Sequence, residues 1–202
     1  MTLEFGTDGV RGVAISEITP LDAVTLGAAA VDALGCSRLL IGRDPRLSGP
    51  ILEASLAAGA AASGARVELL GVLPTPALAH LAQVEGVAAA MITASHNAFA
   101  DNGVKVFAAG GRKLTDEVER RIEAELDRVL ADESGSAGEV CAPGSITTTA
   151  TALDRYVEHI VTMFPTDALS GLRLVLDTAN GAMCAAAPAV AGRKEPLPGR
   201  RL

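Results

Sequence analysis

The sequence predicts an α/β protein: a three-layer α/β/α domain on a mostly parallel, mixed sheet, followed by a fragment of a second similar domain. Three observations predict it. Short apolar runs alternate with longer helical segments from residue 19 onward, the βαβ rhythm that sets helices on both faces of a sheet. The rhythm breaks after Ala131 into a stretch of Gly, Ser, Glu and Pro without apolar periodicity. The 202 residues, 49% apolar and 20% charged, suit a globular chain that buries a sizeable core without a disulfide or metal staple.

Thr19 is the expected N-cap of the first helix, with Pro20 at its first position and Gly35 as its stop. Arg38 to Gly42 is a short apolar strand. Ser48 is expected to cap a second helix from Ile51 to about Ala62, closed by Gly64, and Arg66 to Gly71 is again a strand. Leu73-Pro74-Thr75-Pro76 is a rigid turn into a third helix that ends near Gln83. Val87 to Thr93 reads as a buried strand, and Gly103 to Phe107 as a strand whose alternation suggests one wet face. Thr115 caps a long helix with Val118, Ile122, Leu126, Val129 and Leu130 on one stripe. Beyond the break, Ala152 to about Phe164 is helical, Leu172 to Asp177 is a strand, and Asn180-Gly181-Ala182 turns into another helix. The expected organisation is a first domain over 1–132, a linker over 133–148, an incomplete second domain over 149–190 and an aberrant tail over 191–202. The tail carries two prolines and a basic cluster that cannot continue a helix.

Composition excludes several function classes. Seventeen basic against 24 acidic side chains give a net charge of −7, with no strongly basic stretch before the last ten residues. A nucleic-acid partner is therefore not expected. There is no Trp, one Tyr and four Phe, too few for an aromatic stacking platform. No apolar run approaches a membrane span, and Met1 to Gly6 lacks the basic and apolar regions of a signal peptide. The three cysteines, Cys36, Cys141 and Cys184, are widely spaced and odd in number. They read as reduced thiols, and the expected location is cytoplasmic.

Three segments carry candidate chemistry. Ile92 to Phe107 reads I-T-A-S-H-N-A-F-A-D-N-G-V-K-V-F: a buried strand ends, a polar loop follows, and a strand begins at a Gly. The crevice beyond the carboxyl ends of strands is where open α/β sheets bind ligands, and Ser95 falls there with His96 beside it. A Ser hydroxyl needs positioning and activation to act as a nucleophile, and Lys105 could neutralise a phosphoryl group. The same residues also suit a loop whose Ser and Asn only bond backbone. Phe5 to Gly12, F-G-T-D-G-V-R-G, has three glycines around Arg11, which fits either a closely approached backbone or a surface turn. Gly42 to Gly49, G-R-D-P-R-L-S-G, passes from a strand into a helix N-terminus. Helix N-termini attract anions, but Asp44 with Arg43 or Arg46 reads rather as a local ion pair.

In this order, with L-P-T-P at 73–76, the segments resemble the α-D-phosphohexomutases. The likeness runs from Phe5 to about Val190. Around Gly71 to Ala77 and Gly110 to Leu114 the wording is most similar to the branch that acts on a hexosamine phosphate. The resemblance implies an intramolecular phosphotransferase: Ser95 carries a phosphoryl group, gives it to a hydroxyl of glucosamine 6-phosphate or 1-phosphate, and regains another from the bisphosphate formed. It implies Arg11 and Lys105 as cations flanking the phosphoserine, and His96 as a proton carrier or a brace for the loop. Thr7 and Asn97 are implied as substrate-binding residues, and Mg²⁺ as a cofactor bound through the Ser95 phosphate. Here the sequence departs from the family. Ala98 stands where Pro is usual, and the D-G-D-x-D-R metal loop, the G-E-x-S-G-H sugar loop and the R-x-S-G-T-E phosphate loop are absent from the 202 residues. The expectation is that this chain is inactive as a mutase on its own. A phosphomannomutase or phosphoglucomutase relative and a non-catalytic remnant are the alternative readings.

Overall fold

The computed structural model describes residues 9–131 and 142–192. The elements run β1 (Val10–Val13), α1 (Pro20–Leu34), β2 (Arg38–Arg43), α2 (Gly49–Ala62), β3 (Arg66–Val72), α3 (Thr75–Glu85), β4 (Ala88–Ile92), β5 (Asp101–Ala108), β6 (Arg112–Lys113), α4 (Asp116–Ala131), β7 (Ser145–Thr148), α5 (Ala152–Thr162) and α6 (Met183–Gly192). They build one mixed sheet in the order β1-β5-β4-β2-β3-β7, with β6 pairing along β5. β4, β2, β3 and β7 are parallel. β5 runs antiparallel to β4, β1 and β6. The β4–β5 connection is therefore a direct reversal rather than a helical crossover, and it places residues 93–100 at the carboxyl edge of β4.

Alternate side chains of the central strands enter two cores. Leu39, Ile41, Ala88, Ala90 and Ile92 pack with α1, α2 and α4, whereas Leu40, Ala89, Met91 and Phe107 pack with α3 and α5. This two-sided burial explains the continuous apolar runs, since a strand covered on both faces has no solvent side to make polar. Thr19 caps α1 as expected: its side chain accepts from the Asp22 N–H at 3.2 Å, and the Asp22 carboxylate accepts from the Thr19 N–H at 2.8 Å. Gly35 ends the helix in the left-handed conformation. Helices α1 and α2 cross at two glycines. A Cβ on Gly59 would lie 1.8 Å from the Val24 carbonyl oxygen, and one on Gly27 would lie 2.2 Å from that of Leu56.

The structure corrects several expectations. Ser48 does not cap α2: it is already helical (φ −76°, ψ −12°) and makes no capping bond. Its Oγ instead accepts from Nδ2 of Asn102 at 2.9 Å. Asn102 is wholly buried, so its amide must find a partner inside the protein. β5 has no wet face. Only Asp101, Lys105 and Ala108 are half-buried and the rest are buried, because β1 and β4 flank it and helices cover the sheet. Residues 145–148, expected as the end of the linker, form β7 in parallel register with β3. Its four exposed residues show no apolar pattern, and the ladder alone makes them a strand. Leu172 to Asp177 is not a strand. Val175 is 98% exposed, and no strand among the described residues lies beside this segment to satisfy its backbone. The expected linker residues 133–141 and the tail beyond Gly192 lie outside the described residues.

α5 docks on the first domain through side chains. Arg155 pairs with Glu85 of α3 at 2.7 Å, and Arg38 bridges Glu85 and Glu68. Glu68 also accepts from the Thr149 hydroxyl. His80 of α3 and His159 of α5 stack with centroids 3.7 Å apart.

Candidate active site

Ser95 sits at the turn between β4 and β5, with a backbone φ of +56°. A non-glycine residue adopts this left-handed conformation at a cost of about 1–3 kcal/mol unless its surroundings hold it there. They do so at both ends of the residue. The Ser95 N–H donates to the Thr93 hydroxyl at 2.9 Å, and that hydroxyl donates to Oδ2 of Asp44 at 2.7 Å. The Ser95 carbonyl accepts from Nη2 of Arg46 at 3.1 Å. Asp44 is itself placed by its N–H, which donates to the Ile92 carbonyl at 3.0 Å, so the ends of β2 and β4 are tied where the loop departs.

The loop is exposed from Ser95 to Ala100. Its side chains line a cleft of about 800 Å³ that also includes Arg46, Met91 and Thr93. The facing wall is the turn before α6, residues 178–182, where Ala179 and Asn180 also have positive φ. Ser95 Oγ lies 3.3 Å from Nδ1 of His96, within reach of proton exchange. Asn97 uses its amide inside the loop, donating to Oδ2 of Asp101 at 3.0 Å.

The structure groups Ser95, His96 and Asn97 but holds the two expected cations apart from the cleft lining. Lys105 stands opposite Met91 in the β4–β5 ladder, and its ammonium lies 5.6 Å over the Phe107 ring, two residues farther from the loop. Arg11 stands opposite Gly103, and its side chain lies across that residue: a Cβ there would be 2.9 Å from Arg11 Cγ. Gly103, Lys105 and Met91 share one face of the sheet, so both cations stand on the face that floors the cleft. Thr7 lies outside the described residues. Sequence reasoning missed Thr93 as the acceptor for Ser95. It also read Arg46 only as a partner of Asp44, a pair the structure contains at 3.0 Å, without its bonds to the loop.

Over residues 2–132 the chain matches the family model described as "Phosphoglucomutase/phosphomannomutase, alpha/beta/alpha domain I". The chain belongs to this family. The phosphohexomutase resemblance carried by the four ordered motifs is thus borne out, as is the α/β/α class. Among relatives, phosphoglucosamine mutase of Corynebacterium aurimucosum is 46% identical over 198 residues, spanning 93% of this chain and 43% of that protein. Phosphoglucosamine mutase of Frankia alni is 45% identical over 203 residues, spanning 94% and 44%. Among solved structures, a putative phosphomannomutase from Thermus thermophilus superposes with a TM-score of 0.72 at 29% identity, covering 87% of this chain and 39% of that one. The chain therefore spans less than half the length of the curated relatives it matches. Among the described residues no helix is long and apolar enough to cross a membrane.

The Mg²⁺ that the family implies does not fit the side chains of this cleft. Both oxygens of Asp44 are engaged, Oδ1 by the Arg46 N–H at 3.1 Å and Oδ2 by Thr93 and Arg46 Nε. Oδ2 of Asp101 accepts from Asn97, and no three His, Cys, Asp or Glu side chains cluster among the described residues. A hard cation that wants six oxygens finds no carboxylate cage here.

Proposed function

We propose that this chain carries the phosphoserine of a mutase acting on hexosamine monophosphates, with Ser95 as the phosphoryl carrier. The observation that supports the reading is the Ser95 backbone, fixed at both its N–H and its carbonyl so that the side chain faces a cleft. Phosphoryl transfer depends on positioning and charge neutralisation more than on covalent help. In the transfer step a sugar oxygen forms its bond to phosphorus as the bond to Ser95 Oγ breaks. The sugar hydroxyl gives up its proton, and Oγ regains one. His96 is assigned to hold that proton at the serine. Arg11 and Lys105 are assigned to neutralise the phosphoryl oxygens from the cleft floor by rotation of their side chains. The hexosamine substrate, glucosamine 6-phosphate or 1-phosphate, is inferred from the relatives named phosphoglucosamine mutase.

The test is incubation with a hexosamine 1,6-bisphosphate and Mg²⁺, followed by intact mass and peptide mapping. One phosphoryl group is expected on Ser95 and none on Ser95→Ala. Label on another residue, or undiminished label in the variant, would sink the reading, and no label on the wild type would favour a non-catalytic domain. Replacing the donor with glucose or mannose bisphosphate ranks the sugar classes. Lacking a carboxylate cage among its described residues, the chain alone is expected to show no mutase turnover near an ordinary enzyme rate of about 1 per second.

A further inference from the structure

We propose that Arg46 is the positioning residue of the Ser95 loop, holding the serine in its left-handed conformation and taking no part in binding the phosphoryl group. A guanidinium has five N–H donors in a rigid planar fork. The structure assigns all five to the protein. Nε donates to Oδ2 of Asp44 at 3.0 Å. Nη1 donates to the carbonyls of Ala98 and Asp101, the latter at 2.9 Å. Nη2 donates to the carbonyls of Ser95 and Asn97 at 3.1 and 3.0 Å. No donor remains to face an anion, although Arg46 sits beside the start of α2 and borders the cleft.

The consequence for the loop is geometric. Three of its carbonyls and that of Asp101, the first residue of β5, turn inward onto one cation, and the side chain of that cation is only 11% exposed. Asp44 fixes the plane of the fork and reaches the Ser95 N–H through the Thr93 hydroxyl, so one network grips the serine from both sides. Ala98, at the position where the family usually has proline, gives the clamp only its carbonyl, which proline would also offer. Lysine cannot replace Arg46: an ammonium has three donors on a flexible stem and cannot span four carbonyls and a carboxylate in one plane.

The chemical part of this inference rests on the phosphoserine reading, but its first test does not. Hydrogen exchange on the whole chain is compared for wild type, Arg46→Lys, Arg46→Ala and the distant surface control Arg66→Ala. Both Arg46 variants should speed exchange across residues 95–101 by about tenfold or more, leaving β4 and α3 protected. Loop exchange within about twofold of wild type in both overturns the inference. The second test follows phosphoryl transfer from the hexosamine bisphosphate to Ser95. In Arg46→Lys the saturating rate constant should fall about a hundredfold, as a misplaced nucleophile predicts, with the half-saturating concentration within about threefold of wild type. A raised half-saturating concentration at an unchanged rate would mark Arg46 as an anion ligand and overturn the inference, as would unchanged kinetics. If the wild type takes up no phosphoryl group, the proposed function fails and the exchange comparison alone decides. If neither Arg46 variant folds, Thr93→Val, which removes the acceptor of the Ser95 N–H together with the bond from the Thr93 hydroxyl to Asp44, takes the same two comparisons.

Discussion

Replacing Gly59 with alanine sets two effects of opposite sign against each other. Alanine in a helix interior is favoured over glycine by about 1 kcal/mol. Against that, the new Cβ would lie 1.8 Å from the Val24 oxygen and 2.7 Å from its carbonyl carbon, where ordinary contact starts near 3.4 Å. The obstacle is the backbone of α1, which cannot rotate away as a side chain could. The helices must therefore part by more than an ångström, loosening Leu26, Ala30, Leu52, Leu56 and Ala60, all at most 1% exposed. A gap of that size forfeits a quarter to a half of each contact's dispersion energy. Overpacking typically costs 1–3 kcal/mol, and a rigid backbone obstacle puts this case at the upper end, so after the gain of about 1 kcal/mol from helix propensity the net loss should be about 2 kcal/mol. For a chain of this size that lowers the melting temperature by about 4–8 °C. Urea and thermal unfolding of Gly59→Ala are the assay, with the exposed neighbour Ala58→Gly measuring the propensity effect alone. A Gly59→Ala protein as stable as wild type would refute the close-crossing argument.

Three further outcomes are expected. Burial, then the neighbouring His159 and Arg155, hold His80 below its reference of 6.5. The native state thus binds fewer protons there than the unfolded chain, and stability should fall as pH drops below about 6.5; denaturant midpoints between about pH 5 and 8 should show a slope that flattens in His80→Gln. An equal slope in both proteins would remove the stacked pair from the account. Burial raises the pKa of Glu53, opposed by Arg43, and its Oε1 has no hydrogen-bond partner. Its contribution is present at low pH and lost as pH rises through the folded value, so Glu53→Gln should gain on wild type between about pH 4 and 7 in the same titration. Thr149, then Arg38, hold Glu68 below its reference of 4.5 against an opposing burial effect. Removing the hydroxyl in Thr149→Val should weaken the β7 edge above pH 4.5 and matter less below it, read from hydrogen exchange of residues 145–148.

Much of the fold was legible because its signals are local. The Thr19–Asp22 capping box lies within four residues, and two-sided burial writes itself into continuous apolar runs such as 39–41 and 88–92. The misreadings share a cause: the deciding partner is remote. Ser145 to Thr148 becomes a strand because β3 lies beside it, and Leu172 to Asp177, with a better apolar pattern, does not because no described strand does. The site divides in the same way. Ser95 and His96 are neighbours in the chain and touch in the structure. Arg46 reaches its carbonyl partners across separations of 49 to 55 residues, so spacing showed only its pair with Asp44. Asn97 lines the same cleft and donates from its amide to Asp101 four residues on, a bond as local as the Ser95–His96 contact.

The attachment of β7 and α5 determines how the cleft is held. β7 is stitched into the sheet, and α5 is pinned to α3 by Arg155 and the stacked histidines. Both therefore travel with the first domain as one stiff body. The wall that faces Ser95, residues 178–182, joins that body in sequence only through the turns and irregular backbone between Thr162 and Met183. Helix α6, which follows that wall directly, packs on α5 and buries Ala186, so the junction at 142–151 that fixes β7 and α5 also brackets, through α6, the far side of the cleft.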